Sequence, residues 1–180
     1  GQDAAGDCIA CGTGKYNTQA AQTDEAACED CAVGKYHAQT GQDAEVDCIV
    51  CAVGLYQNQT AQATCEDCAV GLYNDQTAQT AASGCKNCPV GRYNNQVGQD
   101  AAADCKNCAA GLYNDQTGQD AETDCKACDT GEYQDQVGQS GCKNCVVGKY
   151  NDQTSQDHAD DCKACEVGQY QHFEGRVDCY

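Results

Sequence analysis

Eighteen of the nineteen cysteines in this chain stand in Cys-x-x-Cys pairs, and the spacing of those pairs fixes most of what it can become. The pairs fall at 8/11, 28/31, 48/51, 65/68, 85/88, 105/108, 125/128, 142/145 and 162/165, with Cys179 alone at the end. Successive first cysteines lie 20 residues apart six times and 17 apart three times. Each second cysteine is followed by x-x-Gly-x-Tyr, from Gly14 and Tyr16 to Gly168 and Tyr170. Eight of the nine copies continue with x-x-Gln-x-x-Gln, as in Gln19/Gln22, Gln76/Gln79 and Gln153/Gln156; the ninth has Phe173 and Arg176 there. Self-similarity at a fixed period marks an array of one supersecondary unit. Residues 1–180 therefore read as one continuous array of about nine repeats, starting near 8, 28, 48, 65, 85, 105, 125, 142 and 162. No Gly/Ser-rich linker or charge block interrupts it, so no internal domain boundary is expected. Gly1-Gln2-Asp3 aligns with the middle of a loop at Gly41-Gln42-Asp43, and Cys179-Tyr180 begins a pair without its second half. The array is expected to be truncated at both ends.

The three short repeats lose their residues before the next cysteine, at Ala63-Thr64, Ser140-Gly141 and Val177-Asp178. That segment reads as a surface loop, where length changes cost little. The Gly-x-Tyr side keeps one length and belongs to the frame. Large aliphatics and Phe total 18 residues of 180, too few for a conventional core, so cross-links must stabilise the fold. The 28 acidic and 10 basic residues give a net charge of −18, which argues against a nucleic-acid partner. No apolar run is long enough for a membrane span or a signal peptide within this segment.

Three chemistries compete for the cysteines. Cys-x2-Cys-x16-Cys-x2-Cys falls within a zinc-site spacing. A four-cysteine site, however, consumes two pairs and predicts a two-repeat period; the observed period is one repeat, and nine pairs do not divide evenly. A zinc-binding array therefore ranks behind structural disulfides. Thioredoxin-like redox chemistry needs an activated pair at a helix N-terminus in a βαβ setting, and no long helix is indicated. For disulfides, two uniform schemes exist. One joins the second cysteine of each pair to the first of the next: Cys11–Cys28, Cys31–Cys48, Cys51–Cys65, Cys68–Cys85, Cys88–Cys105, Cys108–Cys125, Cys128–Cys142, Cys145–Cys162 and Cys165–Cys179, leaving Cys8 to pair upstream. The other closes each Cys-x-x-Cys on itself and leaves Cys179. The first is preferred, because loops of about 15 to 18 residues contribute roughly 3 kcal/mol each, whereas the tight ring is strained and easily reduced.

Cys-x-x-Cys-x-x-Gly-x-Tyr followed by a gap of 13 to 16 residues to the next pair resembles the ephrin-receptor-like cysteine-rich repeat, which is similar to the first module of tumour necrosis factor receptor cysteine-rich domains. The resemblance covers essentially the whole chain. It implies a small disulfide-rich fold, mostly irregular with short β-hairpins, in an extracellular or cell-surface protein, with the preferred connectivity. Members usually carry Pro after the second cysteine, and only Pro89 does so here. Receptors, adhesion proteins and stalks all use such repeats, so function does not follow from the likeness.

Within each repeat, the invariant Gly is expected at a positive-φ turn, and the Tyr ring is expected over a neighbouring disulfide. Sugar stacking or contact between filaments is the alternative for Tyr. The two Gln side chains are expected to satisfy turn backbone groups, or else to form a Gln ladder along the array. Asp104/Lys106, Asp124/Lys126 and Asp161/Lys163 suggest exposed ion pairs along a strand. The surplus acid could hold Ca²⁺, yet no segment matches an EF-hand loop; residues 114–122 have oxygen ligands without its spacing. No cofactor is expected. His37, His158 and His172 share no register position, so they suggest no common site. One sequon exists, Asn58-Gln59-Thr60, an N-linked glycosylation candidate. Thr40, Thr60, Thr77, Thr117 and Thr154 recur after the first Gln and are O-linked candidates.

Closing each long loop on itself leaves the chain to advance about 10 to 15 Å per repeat, or roughly 90 to 135 Å for nine. An elongated tandem-repeat rod follows, with each unit touching only its neighbours. Nothing that stands apart from the repeat resembles a catalytic set, so no enzyme is expected. The leading expectation is a structural extracellular protein, a stalk or the strand of a surface fibre, whose partners are copies of itself, neighbouring repeats and glycans. The alternative is a receptor or adhesion ectodomain that binds a protein ligand, with His172, Phe173 and Arg176 as candidate anchors.

Overall fold

The computed structural model describes residues 9–20 and 22–180. The chain groups into two compact units, one made of Gly1–Ala69, Tyr73–Lys86 and Val97–Ala101, the other of Val70–Leu72, Asn87–Gln96 and Ala102–Tyr180. Cys8 and the N-terminal register match to Gly41 lie outside the described residues.

Each strand is two residues long. A glycine turn follows every second cysteine, and in the first eight repeats the next two residues, the second of them Tyr, pair with the two residues between the cysteines of the following repeat. In the first unit, Lys15–Tyr16 pairs antiparallel with Glu29–Asp30, Lys35–Tyr36 with Ile49–Val50, and Leu55–Tyr56 with Glu66–Asp67. In the second, Arg92–Tyr93 pairs with Lys106–Asn107, Leu112–Tyr113 with Lys126–Ala127, Glu132–Tyr133 with Lys143–Asn144, and Lys149–Tyr150 with Lys163–Ala164. Leu72–Tyr73 with Lys86–Asn87 completes the eight pairs among the described residues. A two-stranded ribbon of this length has no stability of its own. What holds it is the bridge that closes each loop.

Nine disulfides join the second cysteine of one pair to the first of the next, from Cys11–Cys28 to Cys165–Cys179, with Cα separations of 5.6 to 5.8 Å. Six close 17-residue separations and three close 14-residue ones. The three extra residues of the long loops form a 3₁₀ turn just before the cysteine, at Glu25–Ala27, Glu45–Asp47, Ala82–Gly84, Ala102–Asp104, Glu122–Asp124 and Ala159–Asp161.

Four backbone hydrogen bonds lock each repeat to the next. In the first unit, Gly34 N–H donates to Gln57 O and Gly34 O accepts from Cys51 N–H, while His37 N–H donates to Gln62 O and Ala61 N–H to Cys31 O, all at 2.8 to 3.1 Å. In the second, Gly91, Cys108, Asn94 and Gly118 donate in the same places, to Asn114, Gly91, Gln119 and Cys88. The expectation that units touch only their neighbours is not met. A methyl on Gly34 of the second repeat would lie 2.6 Å from Ala78 O of the fourth, and one on Gly71 would lie 2.9 Å from the carbonyl carbon of Gly118, again two repeats on. The glycine also has φ of +77° and +76° at these positions. Both the turn and the close approach of a second-neighbour loop require it.

Candidate functional site: the repeat junction and its exposed edge

The interior is built of sulfur and amides. Among the largest fully buried side chains are Asn74, Asn94, Asn114 and Asn151, together with second cysteines such as Cys51, Cys68 and Cys88. Each of these asparagines directly follows the repeat's Tyr, a position the sequence reading passed over. Burying an amide is unfavourable unless both ends are bonded. Asn74 Nδ2 donates to Leu55 O of the preceding repeat at 2.9 Å, and its Oδ1 accepts from Gln76 N–H at 3.0 Å. Asn94, Asn114 and Asn151 repeat the arrangement. His37 stands in the same place and accepts from Gln39 N–H through Nδ1.

Gln57, Gln134 and Gln171 replace Asn in the three short-loop repeats. The longer side chain turns forward and donates to the carbonyl of the residue before the next cysteine: Thr64 at 2.7 Å, Gly141 at 2.6 Å and Asp178 at 2.8 Å. Loop length and side-chain length are therefore matched within the chain. The signal lay in the sequence, since Gln follows Tyr in every 17-residue repeat and in no 20-residue one.

Tyr16 packs over the Cys31–Cys48 bridge and Tyr93 over Cys108–Cys125, as the sequence suggested for Tyr. The other described tyrosines are less buried, and Tyr170 is exposed. What crosses the hairpin from Tyr differs along the chain. Tyr16 donates to Glu29 Oε2 at 2.8 Å. That bond, with burial and the carboxylate charge, holds the phenol above its ordinary pKa; Glu66 does the same for Tyr56. Opposite Tyr73, Tyr113, Tyr133 and Tyr150 the residue is a lysine, its ammonium 5.8 to 6.0 Å from the ring centroid.

Those lysines correct the expected ion pairs. Lys126 bonds Asp115 rather than Asp124, at 2.7 Å, and Lys163 bonds Asp152 rather than Asp161, at 2.6 Å. Lys86 pairs with Asp75 and Lys143 with Asp135, while Lys106 donates to Asn95 Oδ1 at 2.9 Å. Asp124 and Asp161 instead accept from Ala121 and His158 N–H, capping their 3₁₀ turns. The lysine hydrogen bond lowers the carboxyl pKa of Asp75, Asp115, Asp135 and Asp152, and raises the ammonium pKa of Lys86, Lys126 and Lys163.

The Gln pair acts locally. Gln79 Nε2 donates to Gln76 Oε1 at 3.1 Å, and Gln156 Nε2 to Thr154 O at 2.9 Å, so the amides tie down their own turn rather than running between repeats. Residues 114–122 form no calcium loop: Asn114 is committed to the interior and Asp115 to Lys126. Among the described residues, no group of three His, Cys, Asp or Glu is placed to hold a metal. The zinc alternative also fails on the sulfurs, because eighteen of them are oxidised to bridges. His158 caps a turn, and His172 stacks against Tyr170 at 5.7 Å and lies tilted against Phe173 at 4.0 Å between ring centroids. Arg176 lies 5.0 Å from the Phe173 ring. Asn58, Thr40, Thr60, Thr77, Thr117 and Thr154 are all exposed.

Hairpins two residues long, threaded head to tail on disulfides, with tandem repeats and no α-helix among the described residues, define a cysteine-rich extracellular repeat protein. The family model for tyrosine-protein kinase ephrin type A/B receptor-like repeats matches three times in tandem, at residues 40–85, 77–125 and 118–162. The matches cover more than half of the chain, which belongs to that family. No curated protein matches it. The family is not a known enzyme or cofactor-binding family, and its disulfide-rich repeats indicate an extracellular or surface location. No helix among the described residues is long and apolar enough to cross a membrane.

Proposed function

We propose that this chain is a structural, non-enzymatic element of an extracellular stalk or fibre, in which repeats act as spacers and copies associate with one another. The sameness of the junctions carries this reading: the same four backbone bonds and a bridge recur from repeat to repeat, and the polar side chains serve turns and junctions. A binding protein generally concentrates affinity in a few anchors. Electron microscopy of the full-length protein isolated from its own cell surface tests the reading. Filaments or stalks are expected; dispersed, unassociated molecules overturn it.

The cluster of Phe173, His172 and Arg176 favours a second reading, a receptor or adhesion ectodomain. Phe173 is half exposed, and the ring and guanidinium stack where eight other repeats carry the Gln pair. Under that reading, Phe173→Ala and Arg176→Ala abolish capture of a soluble protein partner from the extracellular medium.

A further inference from the structure

We propose that Asn58 carries an N-linked oligosaccharide. The residue after the buried amide has one structural task along much of the chain. In repeats 4 to 8 it is Asp75, Asn95, Asp115, Asp135 or Asp152, and each accepts a hydrogen bond from the lysine across the hairpin. In repeat 3 this residue is Asn58, and the residue across the hairpin is Glu66, which is engaged with the Tyr56 phenol. Asn58 is exposed, and its side-chain amide makes no hydrogen bond among the described residues.

Two residues on stands Thr60, also exposed, its hydroxyl donating to Asp30 Oδ2 at 3.1 Å in the folded chain; a threonine at this place completes the acceptor sequence. Asn95 provides an internal contrast. It occupies the same register, but Lys106 bonds its Oδ1 and Val97 replaces the threonine. Of all the asparagines, Asn58 alone has Ser or Thr two residues later. Of the two asparagines in this register, the one without a lysine contact is therefore the one that carries the acceptor sequence. The extracellular location gives the chain access to the modifying machinery.

The donor is a lipid-linked oligosaccharide pyrophosphate. Asn58 Nδ2 forms the bond to the first sugar carbon, the bond from that carbon to the pyrophosphate oxygen breaks, Nδ2 loses a proton, and the lipid pyrophosphate leaves. Nothing is oxidised or reduced.

The test is peptide mass spectrometry on the full-length protein secreted by its own cells, before and after an amidase that removes N-glycans and converts the acceptor Asn to Asp. Deglycosylation is expected to lower the mass by one glycan and leave Asp at 58, with Asn95 unmodified. Asn58→Gln and Thr60→Ala are each expected to abolish the modification. Titration of free thiols in both variants checks that the bridges still form. An unmodified Asn58 in the secreted protein, or a glycan that persists in either variant, overturns the proposal.

Discussion

The bridges define lengths of chain that tension cannot reach until sulfur is reduced. They are consecutive rather than nested, so each hides its own loop. An extended chain spans about 3.5 Å per residue. A 17-residue separation pinned at 5.7 Å therefore hides about 54 Å, and a 14-residue separation pinned at 5.8 Å about 43 Å. The perturbation is a thiol reductant added while a single molecule is held at constant force. The folded repeats extend first; thiolate attack then cleaves the bridges one by one. Two step sizes are expected, in a length ratio near 0.8, with the longer class twice as frequent because six bridges close long loops and three close short ones. Bridges within each Cys-x-x-Cys would release only about 5 Å each. Steps of that size, or one long class without the short one, refute the connectivity and the two-length loop pattern together.

Gln57→Asn should strand the Thr64 carbonyl and destabilise its loop by about 1 to 3 kcal/mol, seen as faster amide exchange confined to residues near 58–64; unchanged exchange there refutes the length matching. Gly34→Ala should lower stability by more than about 1 kcal/mol, since it meets both a left-handed backbone and the Ala78 carbonyl, whereas Ala78→Gly, at φ +58°, should be neutral or stabilising; urea melts with bridges intact distinguish them. Stability should be flat from about pH 5 to pH 9. The lysine-bonded carboxyls of Asp75, Asp115, Asp135 and Asp152 have lowered pKa values, so their contribution is complete above the ordinary carboxylate range and fades as acid passes below it. Lys86, Lys126, Lys163, Tyr16 and Tyr56 have raised values, so theirs is complete below the ordinary range of each group and fades as base passes above it. A loss of stability centred near neutrality, followed by amide exchange, would contradict this.

Elements set by local chemistry were legible in the sequence. The cysteine period announced a disulfide-rich tandem array, the invariant Gly announced the turn, the family resemblance implied the short hairpins, and the length variation before the next cysteine marked its loop. Elements set by packing were not. Lys126 lies two residues from Asp124 in sequence, but Asp124 ends the 3₁₀ turn and caps it while Lys126 begins the strand after Cys125, so the two share no strand face and the hairpin delivers Asp115 instead. The buried amides escaped notice because Asn and Gln ordinarily signal surface. Without large aliphatics, an amide bonded at both ends becomes an acceptable interior residue. Contact between second neighbours escaped for another reason: it depends on the rotation between successive repeats, which no residue type encodes.

That reach across two repeats sets a minimum size for the motif. A single copy, or a pair, lacks the loop that seats against its glycine, so excision experiments should begin with three. It also means that injury spreads unevenly. Loss of one loop withdraws support from the two copies preceding it, and proteolytic nicks should loosen the array toward its N-terminal side.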